Sequence, residues 1–269
     1  MRRPPNLPFL AGPPDFMVGL HPIPLESWLL PDWEAACLPA KRALLNSRSE
    51  QVCAALEGAQ EAALEAGALM VGAASLEEAA ACVSDDPVIL QKRDGEWRAT
   101  AMVLCAPTFF SAQEAIGKSL GALHGPVPDV LGPNETQGLA QRVARIFDAL
   151  APDTVLERFN WTVQPGPERY TPQAQPVFER AAKLGAESAA DLLHLRVERQ
   201  TIRKLPESQA VLFCIRVSID PLRDALAQSG ARALFAQAWE SAPLRVRQYK
   251  RWPMLDPAMA VLLQRLEES

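Results

Sequence analysis

Leu193-His194-Leu195-Arg196-Val197-Glu198-Arg199-Gln200-Thr201-Ile202-Arg203-Lys204, then Leu205-Pro206-Glu207-Ser208-Gln209, then Ala210-Val211-Leu212-Phe213-Cys214-Ile215-Arg216-Val217-Ser218-Ile219, decides the fold. Two extended runs bracket a turn at 206–209, which makes a long hairpin. Upstream, Val88-Ile89-Leu90 leads through Asp94-Gly95 to Trp97-Arg98-Ala99-Thr100-Ala101-Met102-Val103-Leu104. β-type runs around Asp-Gly are the strongest short-range hairpin signal. A further extended stretch is expected at 155–163. Helical spacing of apolar residues is expected at 33–46, 49–66 and 76–82. Ser111, with Glu114 three residues on, opens a helix running to Leu123. Another runs from an Asn134 cap, with Gln137 inside it, to Leu150. Asp220 and Pro221 start one that ends at Gly230. Helices at 231–240 and 257–266 close the chain. Hairpins interrupted by helices predict an α+β fold, with an antiparallel sheet and helices packed beside it.

We expect residues 1–269 to form a single domain. Its proline-rich lead, 1–32, carries Leu7, Phe9, Leu10, Phe16, Met17, Val18 and Leu20, and so should lie on the core. Residues 231–269 form a helical extension. The 24 prolines predict long ordered loops, because proline punctuates elements. A formal charge of -5 gives no electrostatic reason to expect nucleic acid or an anionic membrane surface. The five cysteines are widely spaced and form no CxxC, so neither a zinc site nor a disulfide framework is indicated. CxxCH is missing too, which excludes covalent c-type haem attachment. Neither a signal peptide nor a membrane span is legible, and the expected location is the cytoplasm.

Three histidines occur. His21, in Leu-His-Pro, reads as a surface or packing residue. His194 alternates onto one strand face with Arg196, Glu198 and Gln200. His124 differs, because it ends an apolar helix (Ile116, Leu120, Leu123) and is followed by Gly125-Pro126-Val127-Pro128. A neutral imidazole held this way suits an axial bond to iron, or it complements the helix dipole. Arg158-Phe159-Asn160-Trp161 sets a cation, an amide and an indole in one extended segment. Arg196, Glu198 and Arg199 crowd a half-buried strand, and Arg216 interrupts an apolar one. Such charges form either a structural ion-pair network or a pocket for an anion or a cationic substrate.

The strings Ile116-Gly117-Lys118-Ser119-Leu120-Gly121-Ala122-Leu123-His124-Gly125-Pro126-Val127-Pro128, Arg158-Phe159-Asn160-Trp161, and 195–205 followed by 210–222 resemble the haem-dependent oxidative N-demethylase α subunit family. Weaker likeness takes in Gly19-Leu20 and the 85–107 hairpin, so the resemblance covers most of residues 10–225. It implies a PAS-like α+β fold around a non-covalent haem b. It further implies dioxygen, a flavin and iron–sulfur reductase partner, and demethylation of a small secondary amine with release of formaldehyde. His124 matches the histidine of the family's IH-x-PVP segment, the axial ligand, and Lys118 the basic residue before it. Glu198 would attract the substrate ammonium, while Asn160 and Trp161 shape its pocket. Arg158, Arg196, Arg199, Arg216 and Lys118 would share propionate binding and internal ion pairs. The alternative is a non-catalytic haem sensor or assembly subunit. Two departures stand out. Cys105-Ala106-Pro107-Thr108-Phe109-Phe110 replaces the family's cysteine, Phe-Pro-Ser and tryptophan, and a QED-type stretch survives only as Ser84-Asp85-Asp86.

Overall fold

The computed structural model describes residues 6–32, 34, 36–125, 127 and 138–268. Its strands are β1 (His21–Ile23), β2 (Cys53–Ala55), β3 (Asp85–Arg93), β4 (Glu96–Val103), β5 (Val155–Pro165), β6 (Leu193–Lys204) and β7 (Val211–Pro221). They form one antiparallel sheet in the order β1-β5-β6-β7-β3-β4-β2. The chain is therefore α+β, with the open antiparallel sheet and flanking helices of a PAS-like fold. Asp94 and Gly95 both take positive φ, 52° and 82°, as the tight β3–β4 turn requires.

The helices are α1 (Cys37–Val52), α2 (Gln60–Val71), α3 (Leu76–Cys82), α4 (Ala112–Ala115), α5 (Leu120–Leu123), α6 (Leu139–Ala149), α7 (Gln175–Ala190), α8 (Leu222–Leu226), α9 (Ala231–Ser241), α10 (Leu244–Tyr249) and α11 (Asp256–Glu267). Among the described residues, none is long and apolar enough to cross a membrane.

Several expectations need correction. The helix expected over 49–66 is broken: Cys53–Ala55 leaves it to pair with β4, and Gly58 turns the chain at φ 77°. The helix expected from Ser111 to Leu123 is two single turns. Its capping box at Ser111 and Glu114 is present. Gly117 then adopts φ 77°, and Gly117 N and Lys118 O hydrogen-bond Ala99 on β4. A sheet edge captured the middle of the segment. The helix expected at 221–230 shortens to α8, because Pro221 still belongs to β7. Helices α7 and α10 were not anticipated. The Asn134 cap lies outside the described residues.

Strand parity sorts the side chains. Residues 196, 198, 200 and 202 of β6 share a face with 158, 160 and 162 of β5 and with 213 and 215 of β7. That face carries α4, α5 and α6, whose apolar residues Ala112, Ala115, Leu120, Leu139 and Phe147 pack with Val88, Leu90, Met102, Leu104 and Ile202. On the other face α2 and α3 cover Ile89, Val103, Leu212 and Cys214. Phe9, α7, α8, α9 and α11 cover Trp161, Val163, Leu195 and Val197. Phe9 is fully buried beside Trp161 and Phe235.

Candidate functional site

Between the sheet and helices α4 to α6 lies a cavity of about 840 Å³, within the range of small-molecule and cofactor sites. One part is apolar, walled by Val88, Leu90, Met102, Leu123, Val143 and Phe147. The other is polar, lined by Arg158, Asn160, Arg196, Glu198, Gln200 and Lys250. Phe16, Val18 and Leu20 of the lead also border it.

His124 caps α5 at its C-terminal end and lines this cavity. Its Nδ1 lies 2.9 Å from the Leu120 carbonyl oxygen, which can only accept, so Nδ1 carries the proton. The lone pair is then on Nε2, which has no hydrogen-bond partner among the described residues. A ring nitrogen fixed by a backbone carbonyl, with the other left to bind, is the arrangement of metal-ligating histidines. One side of His124 is open to the cavity, so its surface is exposed. The protein around it still disfavours the imidazolium and lowers the pKa; the Leu120 hydrogen bond opposes this and Arg158 adds to it. The neutral ring is the form that ligates.

Arg158 projects into the same cavity. Among the described residues its Nε is buried without a hydrogen-bond partner, and burial depresses its pKa against the pull of Glu198 and Asp15. A desolvated guanidinium with a spare donor is a receptor for a carboxylate. Lys118 also lines the cavity, on an exposed stretch tied by its backbone to Ala99. A lone histidine plus cations, without thiols or a second imidazole, suits a metal that brings its remaining ligands with it, and the cations suit acidic substituents on that group.

Glu198 sits at the centre of the polar part. It accepts hydrogen bonds from the Thr108 hydroxyl, from Gln200 Nε2 at 3.0 Å and from Asn160 Nδ2 at 3.4 Å. Arg196 Nε lies 3.9 Å away. Arg196 is fully buried and donates to Gln164, to the Arg169 carbonyl and to the Ala106 carbonyl at 2.6 Å. Burial brings its pKa down to about 10. It therefore works mainly as a brace for the loop that carries Thr108. From the other side Asp86 Oδ2 accepts from the Cys105 and Ala106 amides, both at 2.7 Å, and Lys41 pairs with Asp86 at 3.0 Å. Phe109 in this loop takes φ 64°, which a non-glycine residue adopts only when its surroundings impose it.

Arg199 and Arg216 are not brought to this cavity. Both lie on the opposite sheet face. Arg199 pairs with Glu157 and donates to the Ser27 and Trp28 carbonyls. Arg216 pairs with Asp85 at 2.7 Å and donates to the Leu30 and Pro31 carbonyls. They pin the lead to the sheet, and the propionate role is withdrawn for both. Parity carried the signal: residues three apart on a strand, such as Arg196 and Arg199, cannot share a face. Trp161 borders the cavity, but its ring packs among Phe9, Phe235 and Trp252. His194 Nδ1 is 2.7 Å from the Leu192 carbonyl, and His21 Nε2 lies 3.4 Å from Glu157.

Sequence reading missed Lys250, which donates to Asn160 Oδ1 at 3.0 Å, and Tyr249, which lines the cavity beside it. Both stand in the C-terminal segment, in Tyr249-Lys250-Arg251-Trp252, where no motif marked them.

A family model described as "Haem-dependent oxidative N-demethylase, alpha subunit-like" matches residues 71–260. The match spans His124, every polar residue named in the cavity, and Lys250.

Proposed function

This chain belongs to the haem-dependent oxidative N-demethylase α-subunit-like family, and from that premise we propose that the cavity holds a non-covalent haem b through His124 and serves oxidative N-demethylation of a small secondary amine. The observation that carries the reading is His124 itself: Nδ1 is fixed on Leu120, Nε2 has no hydrogen-bond partner among the described residues, and the ring faces a cofactor-sized cavity. When bound, the haem supplies activation of dioxygen, with electrons from a separate flavin and iron–sulfur reductase in the cytoplasm. Arg158, with Lys118 nearer the exposed rim, pairs with the propionates. The apolar wall keeps water from the macrocycle. Glu198, held by Thr108, Gln200 and Asn160, is the carboxylate that meets the amine, which would leave as a primary amine and formaldehyde. Residues 1–269 act as one haem-binding unit in this reading, because the lead and the C-terminal segment both supply cavity walls.

The test is the visible spectrum of the full chain produced with haem supply, for wild type and His124→Ala. A Soret band in the wild type, with altered or lost axial ligation in the variant, is expected. A wild type with no Soret band overturns haem binding. Unchanged ligation in His124→Ala overturns the ligand assignment.

The rival reading, a non-catalytic haem sensor or assembly subunit, draws on the three hydrogen bonds Glu198 already accepts. Formaldehyde production from dimethylamine with a chemical reductant, lost in Glu198→Gln, would decide for the enzyme.

A further inference from the structure

Lys250 is held by a two-rung clamp on β5. Trp252 is fully buried, stacks on Trp239 with ring centroids 4.1 Å apart, and donates from Nε1 to Thr162 Oγ1 at 3.0 Å. Two residues earlier, Lys250 Nζ donates to Asn160 Oδ1 at 3.0 Å. Asn160 and Thr162 point to the same face, so the aromatic anchor fixes where the ammonium stands. Because Asn160 Oδ1 accepts from Lys250, its Nδ2 must be the atom turned to Glu198 Oε2.

The charged and titratable groups around Lys250 come from every side. Glu198 on β6 attracts it and Arg158 on β5 repels it. Arg196 lies beyond Glu198, Asp15 of the lead acts on Arg158, and Tyr249 and Arg251 flank it in sequence. An ammonium set against an amide oxygen beside a carboxylate is the arrangement a small alkylammonium ligand would seek.

We propose that Lys250 is a built-in occupant of the cavity's ammonium position, and that a protonated small amine takes that place beside Asn160 and Glu198 only as the Lys250 ammonium gives one proton to solvent. This rests on the amine reading above. The balance is one alkylammonium in, one proton out, with Lys250 left as a neutral amine. Burial lowers the Lys250 pKa to about 8, with Glu198 acting in the opposite sense and Arg158 in the same one, so the exchange is feasible near neutral pH. Lys250 thereby selects against cations at low pH and admits them as pH rises.

Calorimetric titration of the haem-loaded full chain with dimethylammonium chloride, in buffers of different ionisation enthalpy, counts the protons. For wild type at pH 7 about one proton should be released per amine bound, and affinity should rise about tenfold per pH unit up to about 8. Lys250→Met should release none and bind about 100-fold more tightly at pH 6, as a barrier set by a pKa of about 8 implies. Lys250→Arg, whose charge cannot be shed, should bind more weakly than wild type and release none; it keeps the test alive if the methionine variant fails to fold. Equal proton release by wild type and Lys250→Met assigns the proton to the amine itself and overturns the proposal. Binding without release or pH dependence in wild type overturns it too, leaving the amine reading intact. No amine binding by any of the three proteins overturns the amine reading and this proposal together.

Discussion

Glu198 and Arg199 are neighbours in sequence and face opposite sides of the sheet: Glu198 accepts from Thr108 and Gln200 within the cavity, and Arg199 pairs with Glu157 beneath the lead. One strand thus serves two purposes. Even-numbered polar residues of β6 build a site, and Arg199 fastens the N-terminal segment across the back of the sheet.

The back face should behave as structure alone. Arg216→Met leaves Asp85 buried and uncompensated, which costs about 3–5 kcal/mol. Denaturant melts of the variant should show that loss, while the Soret position of its folded fraction stays at the wild-type value. A shifted Soret band would return Arg216 to the haem site.

Arg158 should show the reverse pattern. Its buried Nε has no hydrogen-bond partner among the described residues, so Arg158→Ala should leave the apoprotein as stable as wild type or more so. Haem affinity should fall by about 10- to 100-fold, the loss of a charge-assisted contact of roughly 1.5–3 kcal/mol. Haem transfer to apomyoglobin measures this, and an unchanged transfer rate would remove Arg158 from propionate binding.

Acid should weaken the apoprotein through His124. Its folded-state pKa lies below the ordinary 6.5, so as pH falls through 6.5 the unfolded chain takes up the proton first. Stability present at neutral pH is then lost on acidification until the folded pKa is passed. Apoprotein melts from pH 7 to 5 should show a smaller loss in His124→Gln. Identical slopes for the two proteins would contradict a lowered His124 pKa in the folded state.

At alkaline pH the sign comes from Lys250. Its pKa falls from 10.5 unfolded to about 8 folded, so between these values the unfolded state holds more protons and stability rises with pH. The full span amounts to roughly 3 kcal/mol. Lys250→Met should abolish that rise, and the melting temperature followed from pH 7.5 to 10 reads it directly.

Local signals carried much of the architecture. The Asp94-Gly95 turn, the 206–209 turn between alternating strands, and the cap at Ser111 depend on a few adjacent residues, and all stand where those residues dictate. The string around His124 likewise marked a helix end and its ring. Longer-range choices were beyond such reading. Gly117 interrupts a helix because β4 offers hydrogen bonds that the segment's own spacing does not reveal. α7 forms in 175–190, behind Pro176 and around Gly185 at φ 74°, because Val177, Phe178 and Ala181 find a core to fill.

Strand parity alone separated Arg158, Arg196 and Glu198 from Arg199 and Arg216. Which face would hold a cavity depended on what packed there: α4 to α6 stand off the sheet, while α2, α3 and Trp28 close onto the other side. Lys250 reached the site through Trp252, ninety residues along from Thr162. Sequence by itself therefore determined the long strands β3 to β7, the turns of their hairpins and the helix end at His124, since each follows from interactions over a few residues. Only the tertiary structure decided which charges meet, because a buried charge takes its partner from whatever the fold brings within reach.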